Sequence, residues 1–208
     1  MERVLTAKGA ATRTRIVEGA AALIREQGVA NVGLDDIRAA TATSKSQLFH
    51  YFPDGKSDLL LAVAQHEADQ VLAEQQPFLG DLTSWRKWQA WRRRIIEIYD
   101  GQRAGCPLSA LIAQLRPGNP EVQEVVTGLS ARWRDLLADG VRALRAAGEI
   151  DQSIDPDQAG IAILAAVTGG ATLLIATDEL AYLEIALTTA LDDLRRPGAR
   201  TRRRVSLG

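Results

Sequence analysis

An all-α fold of about nine helices follows from three features of the chain. Apolar residues recur at three- and four-residue spacings along most of its length. No run alternates strictly between apolar and polar side chains in the manner of a half-buried strand. The helix punctuators, among them Gly28, Pro53, Pro77, Gly80, Pro117 and Gly148, fall between the periodic segments rather than inside them.

The elements run in order. Residues 10–27 carry Ile16, Ala20, Leu23 and Ile24 on one face, and Gly28 stops the helix. Residues 34–41, LDDIRAAT, form a short helix with Asp35 and Asp36 in its first turn, where the helix dipole favours acids. A third short helix covers 45–51. Pro53, Asp54 and Gly55 break the chain, and Lys56 opens a long helix to about Gln75. Helices follow at 82–102, 108–115, 120–147, 156–176 and 178–195. The tail PGARTRRRVSLG is basic and is expected to be mobile.

The chain has 208 residues, enough for one large domain or a small one joined to a medium one. With 46% hydrophobic and 25% charged residues it reads as globular rather than disordered. The net charge is −1, so any basic surface for nucleic acid has to be local. The one cysteine, Cys106, builds neither an intramolecular disulfide framework nor a cysteine zinc site, and a cytoplasmic location is the simple expectation. The N-terminal stretch MERVLTAKGAATRTR has no signal-like apolar core. Residues 158–177 are uncharged over roughly a membrane-spanning length. They are alanine-rich, with Thr168-Gly169-Gly170 at the centre and neither basic anchors nor an aromatic belt. A helix in the interior or at a subunit interface is therefore expected there.

The stretch TSKSQLFHYF, residues 43–52, is too polar for a core element and too aromatic for an ordinary loop. Two short helices meeting at Ala42-Thr43-Ser44 have the spacing of a helix-turn-helix, whose second helix lies in the major groove. Ser44 is placed to cap that helix and to meet a phosphate. Lys45, Ser46 and Gln47 fall in its first turn, within reach of base edges, with Gln47 suited to adenine and Lys45 to guanine or phosphate. His50 and Tyr51 are placed against the backbone, while Leu48 and Phe52 face the protein. Lys56, at the start of the next helix, offers an ammonium and free amides to a phosphate.

The string DDIRAATATSKSQLFHYFPDGKSDLLLAV resembles the N-terminal domain of the TetR family of transcriptional repressors. The likeness covers roughly residues 9–70. It implies a DNA-binding domain over 9–70, a ligand-binding and dimerisation domain over 71–196 and a tail over 197–208. It implies backbone contacts from the start of the first helix, at Thr12, Arg13 or Thr14, and adds Gly33, Thr43 and Phe49 to the DNA-facing set. The chain departs from the family pattern at several points. Arg38 stands where a small residue is usual, Ala42 where the turn has glycine, and Phe49 where a tyrosine hydroxyl is usual. Gly33 takes the place of a capping Ser or Thr, and Gly55 is an extra residue. The run GCPLSALIAQL at 105–115 resembles the LmrA/YxaF-like branch, whose members respond to drug-like or flavonoid-like molecules.

On a wheel of about 100° per residue, Trp85, Trp88, Trp91, Ile95, Ile98 and Tyr99 share an arc of about 140°. They serve as core, as cavity lining, or as both. Arg92 lies at the edge of this stripe. It either snorkels past the rings or offers a cation to a phenolate, carboxylate or carbonyl. The ligand set is completed by His66, Cys106, Leu111, Trp133, Thr168 and Thr172. For Cys106 a small buried hydrophobe is the bland alternative, and for His66 a satisfied or exposed histidine. Leu180, Leu183, Leu187 and Leu194 recur at heptad-like spacing, with Ile185 and Leu191 beside them, and suggest the interface of a homodimer.

The sequence offers no Ser/His/Asp set, supported Cys/His pair, paired carboxylates in an apolar setting or phosphate loop, so an enzyme is not expected. No histidine follows His66-Glu67 at zinc spacing, and no metal or cofactor is expected. The expected activity is that of a repressor released from a palindromic operator, double-stranded DNA, by a small aromatic or drug-like effector. The alternatives are a small-molecule carrier and a DNA-binding regulator without an effector.

Overall fold

The computed structural model describes residues 6–103 and 120–195. Among these residues the chain forms eight α-helices, one 3-10 turn and no strand. The helices are α1 (Ala7–Gln27), α2 (Leu34–Ala40), α3 (Lys45–Tyr51), α4 (Lys56–Ala73), α5 (Trp85–Gly101), α6 (Pro120–Ala146), α7 (Pro156–Thr177) and α8 (Ala181–Asp193). The helix expected over 108–115, with Cys106 and Leu111, and the tail 197–208 lie outside the described residues. Helix α5 starts three residues later than the periodicity suggests, because Ser84 is its N-cap and the buried Leu82 belongs to the preceding loop.

The residues group into two compact units. The first runs to Ala73 and includes the start of α6 up to Leu129. The second runs from Glu74 and takes α6 from Ser130 onward.

In the first unit, α1 begins at Thr6, whose hydroxyl accepts the Gly9 N–H at 3.2 Å, and ends at Gly28 with φ 80°. The core gathers Ile16, Ala20 and Ile24 of α1, Ile37 of α2, Leu48 of α3, Phe52, and Leu59 and Val63 of α4. Apart from Ala20, each of these side chains contributes about 1.5–3 kcal/mol by leaving water. Gly19 is required where α1 meets the α2–α3 turn, since a Cβ there would come within 2.3 Å of Thr41 Cγ2. Arg25 on α1 pairs with the buried Glu67 of α4 at 2.6 Å. A second apolar cluster joins Ala64 and Ala68 of α4 to Val125 and Leu129 of α6.

In the second unit, Trp88, Trp91, Ile95 and Tyr99 form the buried face of α5. Trp88 and Trp91 meet edge-on with centroids 5.6 Å apart, and the Trp91 indole donates to Gln75 Oε1 at 3.0 Å. Trp133, Leu137, Val141 and Leu144 form the buried face of α6. Helix α7 approaches α6 closely at Gly160, where a Cβ would lie 2.9 Å from the Arg134 carbonyl oxygen. It approaches α8 at Gly170, where a Cβ would lie 2.6 Å from Leu183 Cα. Gly169, beside it, faces open space.

The leucines expected at a dimer interface take part in this packing. Leu183, Leu187, Leu191 and Leu194 are buried within their own chain, and Leu180 is half-buried at the N-cap of α8. Their repeat matches α7, against which α8 folds back. The apolar residues left outward are Ile161 and Leu173 of α7 and Tyr182 and Ile185 of α8. Helix α7 is long and apolar enough to cross a membrane. Its buried face, including Ile163, Val167 and Leu174, belongs to this unit's core.

Candidate nucleic-acid interface

Helices α2 and α3 are joined by a turn of four residues, Thr41 to Ser44. Ala42 adopts φ 45°, a left-handed conformation that costs an L-residue about 1–2 kcal/mol. Hydroxyls hold the turn from inside. Thr41 Oγ1 donates to the Ile37 carbonyl at 2.6 Å, and Thr43 Oγ1 donates to the Thr41 carbonyl at 3.1 Å. Thr43 is therefore buried and occupied, where the sequence placed it toward DNA.

Ser44 and Gln47 close a capping box at the start of α3. Ser44 Oγ accepts the Gln47 N–H at 3.2 Å, and Gln47 Oε1 accepts the Ser44 N–H at 3.1 Å. In the free chain the Gln47 carbonyl oxygen is thus held at the cap. The Ser-x-x-Gln spacing was the available signal. Ser44, Lys45, Ser46, Gln47, Phe49 and His50 are all exposed, and Leu48 and Phe52 are buried as expected. Tyr51 is half-buried against the core, and the His50 ring meets it edge-on at 4.9 Å.

Lys8, Arg13, Thr14 and Arg15 are exposed on α1. The Arg13 guanidinium sits over the Phe52 ring, 5.4 Å from its centroid, a link between α1 and the end of α3 that no sequence pattern signalled. Three acids of the segment have partners: Asp35 pairs with Arg38 at 2.6 Å, Asp36 accepts the Gly33 N–H at 2.8 Å, and Asp58 accepts the Asp54 N–H at 2.8 Å. Gly33 thus occupies the N-cap of α2 with Asp36 supplying the side-chain bond. The Lys56 ammonium donates to the Val32 carbonyl at 2.7 Å and the Val29 carbonyl at 3.2 Å. In the free chain it clamps the loop after α1. Two carbonyls left without helical partners hold it there.

The ligand candidates separate. Trp88, Trp91, Ile95, Tyr99 and Trp133 are buried in the second unit. Among the described residues the indole N–H groups of Trp88 and Trp133 have no acceptor, and a buried unpaired donor costs about 1–3 kcal/mol. Trp85 is half-buried under the Arg195 guanidinium, 4.9 Å from the ring centroid, and its backbone N–H donates to Glu149. Arg92 is half-buried and donates from Nε to Thr188 Oγ1 of α8 at 3.1 Å. Thr168 and Thr172 face outward on α7 and donate to carbonyls of their own helix, so the structure removes them from the buried set. His66 is half-buried on α4, in the first unit. Among the described residues no group of His, Cys, Asp or Glu side chains is placed to hold a metal ion.

Residues 16–63 match the family described as bacterial regulatory proteins, tetR family, and residues 85–190 match the tetracyclin repressor-like, C-terminal domain. The chain is 28% identical over 173 residues to an uncharacterised HTH-type transcriptional regulator of Mycobacterium tuberculosis, covering 79% of this chain and 83% of that one. It is 26% identical over 181 residues to an HTH-type transcriptional regulator of Lactococcus lactis subsp. lactis, covering 83% and 88%. Among solved structures it is similar to a TetR transcriptional regulator from Chloroflexus aurantiacus, with TM-score 0.70, 25% identity and coverage of 92% and 98%. The fold is also that of SmeT in its complex with triclosan, with TM-score 0.66, 21% identity and coverage of 88% and 91%.

Proposed function

Since the chain belongs to the tetR family of bacterial regulatory proteins, and so is a DNA-binding transcriptional regulator rather than an enzyme, we propose that it is a repressor. It holds a palindromic operator as a homodimer in the cytoplasm. It leaves the operator when a small aromatic or drug-like molecule binds its second unit.

The observation that carries this reading is the polar arc of α3. Lys45, Ser46 and His50 are exposed on a helix fixed from behind by Leu48 and Phe52. The outward apolar residues Ile161, Leu173, Tyr182 and Ile185 supply a face for a second copy. A two-fold pair would set its α3 helices about 34–36 Å apart, one turn of DNA.

The effector half of the proposal draws on the buried aromatic face of α5 and on the two indole donors that have no acceptor among the described residues. SmeT, which shares the fold, has been solved with triclosan bound. A ligand releases DNA when it binds the DNA-incompetent state more tightly, by the amount of that difference.

The test is a titration of triclosan into the chain bound to a duplex it selects. The proposal expects the complex to dissociate over the concentration range in which tryptophan fluorescence changes. A fluorescence change that saturates while the DNA stays bound refutes release by that ligand class.

A further inference from the structure

Helix α3 exposes one large apolar side chain, Phe49, at 40%. With Lys45 at 0° and about 100° per residue, Phe49 lies at about 40°, Ser46 at about 100° and His50 at about 140°. Leu48 and Phe52, at about 300° and 340°, are buried beyond Lys45, on the side away from Ser46. The phenyl ring thus stands within the polar arc, between Lys45 and Ser46. Its position is fixed at the edge of the unit, because one ring edge rests on Gly55, where a Cβ would lie 3.3 Å from Phe49 Cε1. Gly55 has φ 67° and no side chain to push the ring away.

A phenyl ring cannot hydrogen-bond a phosphate. In the major groove, base edges present donors and acceptors at every pair and one apolar group, the 5-methyl of thymine. The geometry points to Phe49 as a specificity-determining residue that packs on the methyl of one thymine in each operator half-site. This rests on the placement of α3 in the major groove proposed above. The preference is for thymine over cytosine at that position, and it comes from the methyl group rather than from a hydrogen bond.

The experiment selects duplexes from a random pool with the full-length chain, then replaces each thymine of the consensus in turn by deoxyuridine, which lacks only the methyl. Wild-type protein should lose about fourfold in affinity per contacted methyl at one position of each half-site, the value of burying about one such group. With Phe49→Ala that penalty should vanish, and with Phe49→Leu it should persist in part. The deoxyuridine series on the wild-type chain stands whether or not a variant folds. A consensus with no deoxyuridine penalty overturns the inference and leaves the placement of α3 intact. A penalty that persists in Phe49→Ala assigns the methyl to another side chain and also overturns it. Selection of no consensus removes both the placement and the inference.

Discussion

Ser44 and Gln47 cap each other, each accepting the other's backbone N–H through its side-chain oxygen, at 3.2 and 3.1 Å. The pair fixes where α3 begins and so which side chains its first turn presents. Gln47→Glu keeps the acceptor and suits the helix N-terminus, so unfolding stability should stay within about 0.5 kcal/mol. DNA affinity should nonetheless fall, because a carboxylate then faces phosphates. Ser44→Ala should cost about 1 kcal/mol. Urea unfolding and duplex binding measured on both variants separate the two roles. A Gln47→Glu chain destabilised as much as Ser44→Ala contradicts the capping assignment.

Ala42 holds φ 45° in the turn before α3. Glycine adopts that conformation without the Cβ clash, though it frees the unfolded chain. Ala42→Gly should therefore stabilise the chain by about 0.5–1 kcal/mol, read as a higher urea midpoint at unchanged slope. A lower midpoint would show that the turn is not strained there.

Gly169 and Gly170 are neighbours with opposite surroundings. A Cβ on Gly170 would lie 2.6 Å from Leu183 Cα, which is backbone and cannot turn aside. Gly170→Ala should cost about 1–3 kcal/mol. A Cβ on Gly169 meets nothing within 4 Å, so Gly169→Ala should be neutral or gain up to about 1 kcal/mol of helix propensity. Equal effects of the two in thermal unfolding would contradict the packing of α7 on α8.

Ile185 is 66% exposed and Leu187, two residues on, is fully buried. Ile185→Asp should move the sedimenting species from dimer toward monomer without loss of helical signal. Leu187→Asp should instead unfold the second unit, since a buried unpaired carboxylate costs several kcal/mol. An Ile185→Asp chain that remains dimeric would place the interface elsewhere.

These residues also show what sequence can and cannot tell. Helix periodicity is a property of each segment alone, so the helical class and the turn between α2 and α3 could be read directly. The buried face of α5 was legible for the same reason: Trp88, Trp91, Ile95 and Tyr99 share one stripe. What packs against a stripe is not written in the stripe. The leucines of α8 repeat as an interface would, yet they meet α7 of their own chain through Gly170. Lys56 and Gln47 looked free for DNA because their partners are set by backbone geometry, in the carbonyls of Val29 and Val32 and the N–H of Ser44. Thr168 and Thr172 sit in an apolar helix whose inner face becomes clear only once its neighbours are placed.

Equilibrium binding decides whether α3 reads DNA sequence. The duplex upstream of the chain's own coding region would be compared with a scrambled duplex across a range of salt. The account predicts at least about a thousandfold tighter binding to the former. Affinity for both should fall linearly in log salt, and Lys45→Ala should narrow the gap between them. Equal affinity for the two duplexes at every salt, unchanged by Lys45→Ala, would contradict sequence readout of that site by α3.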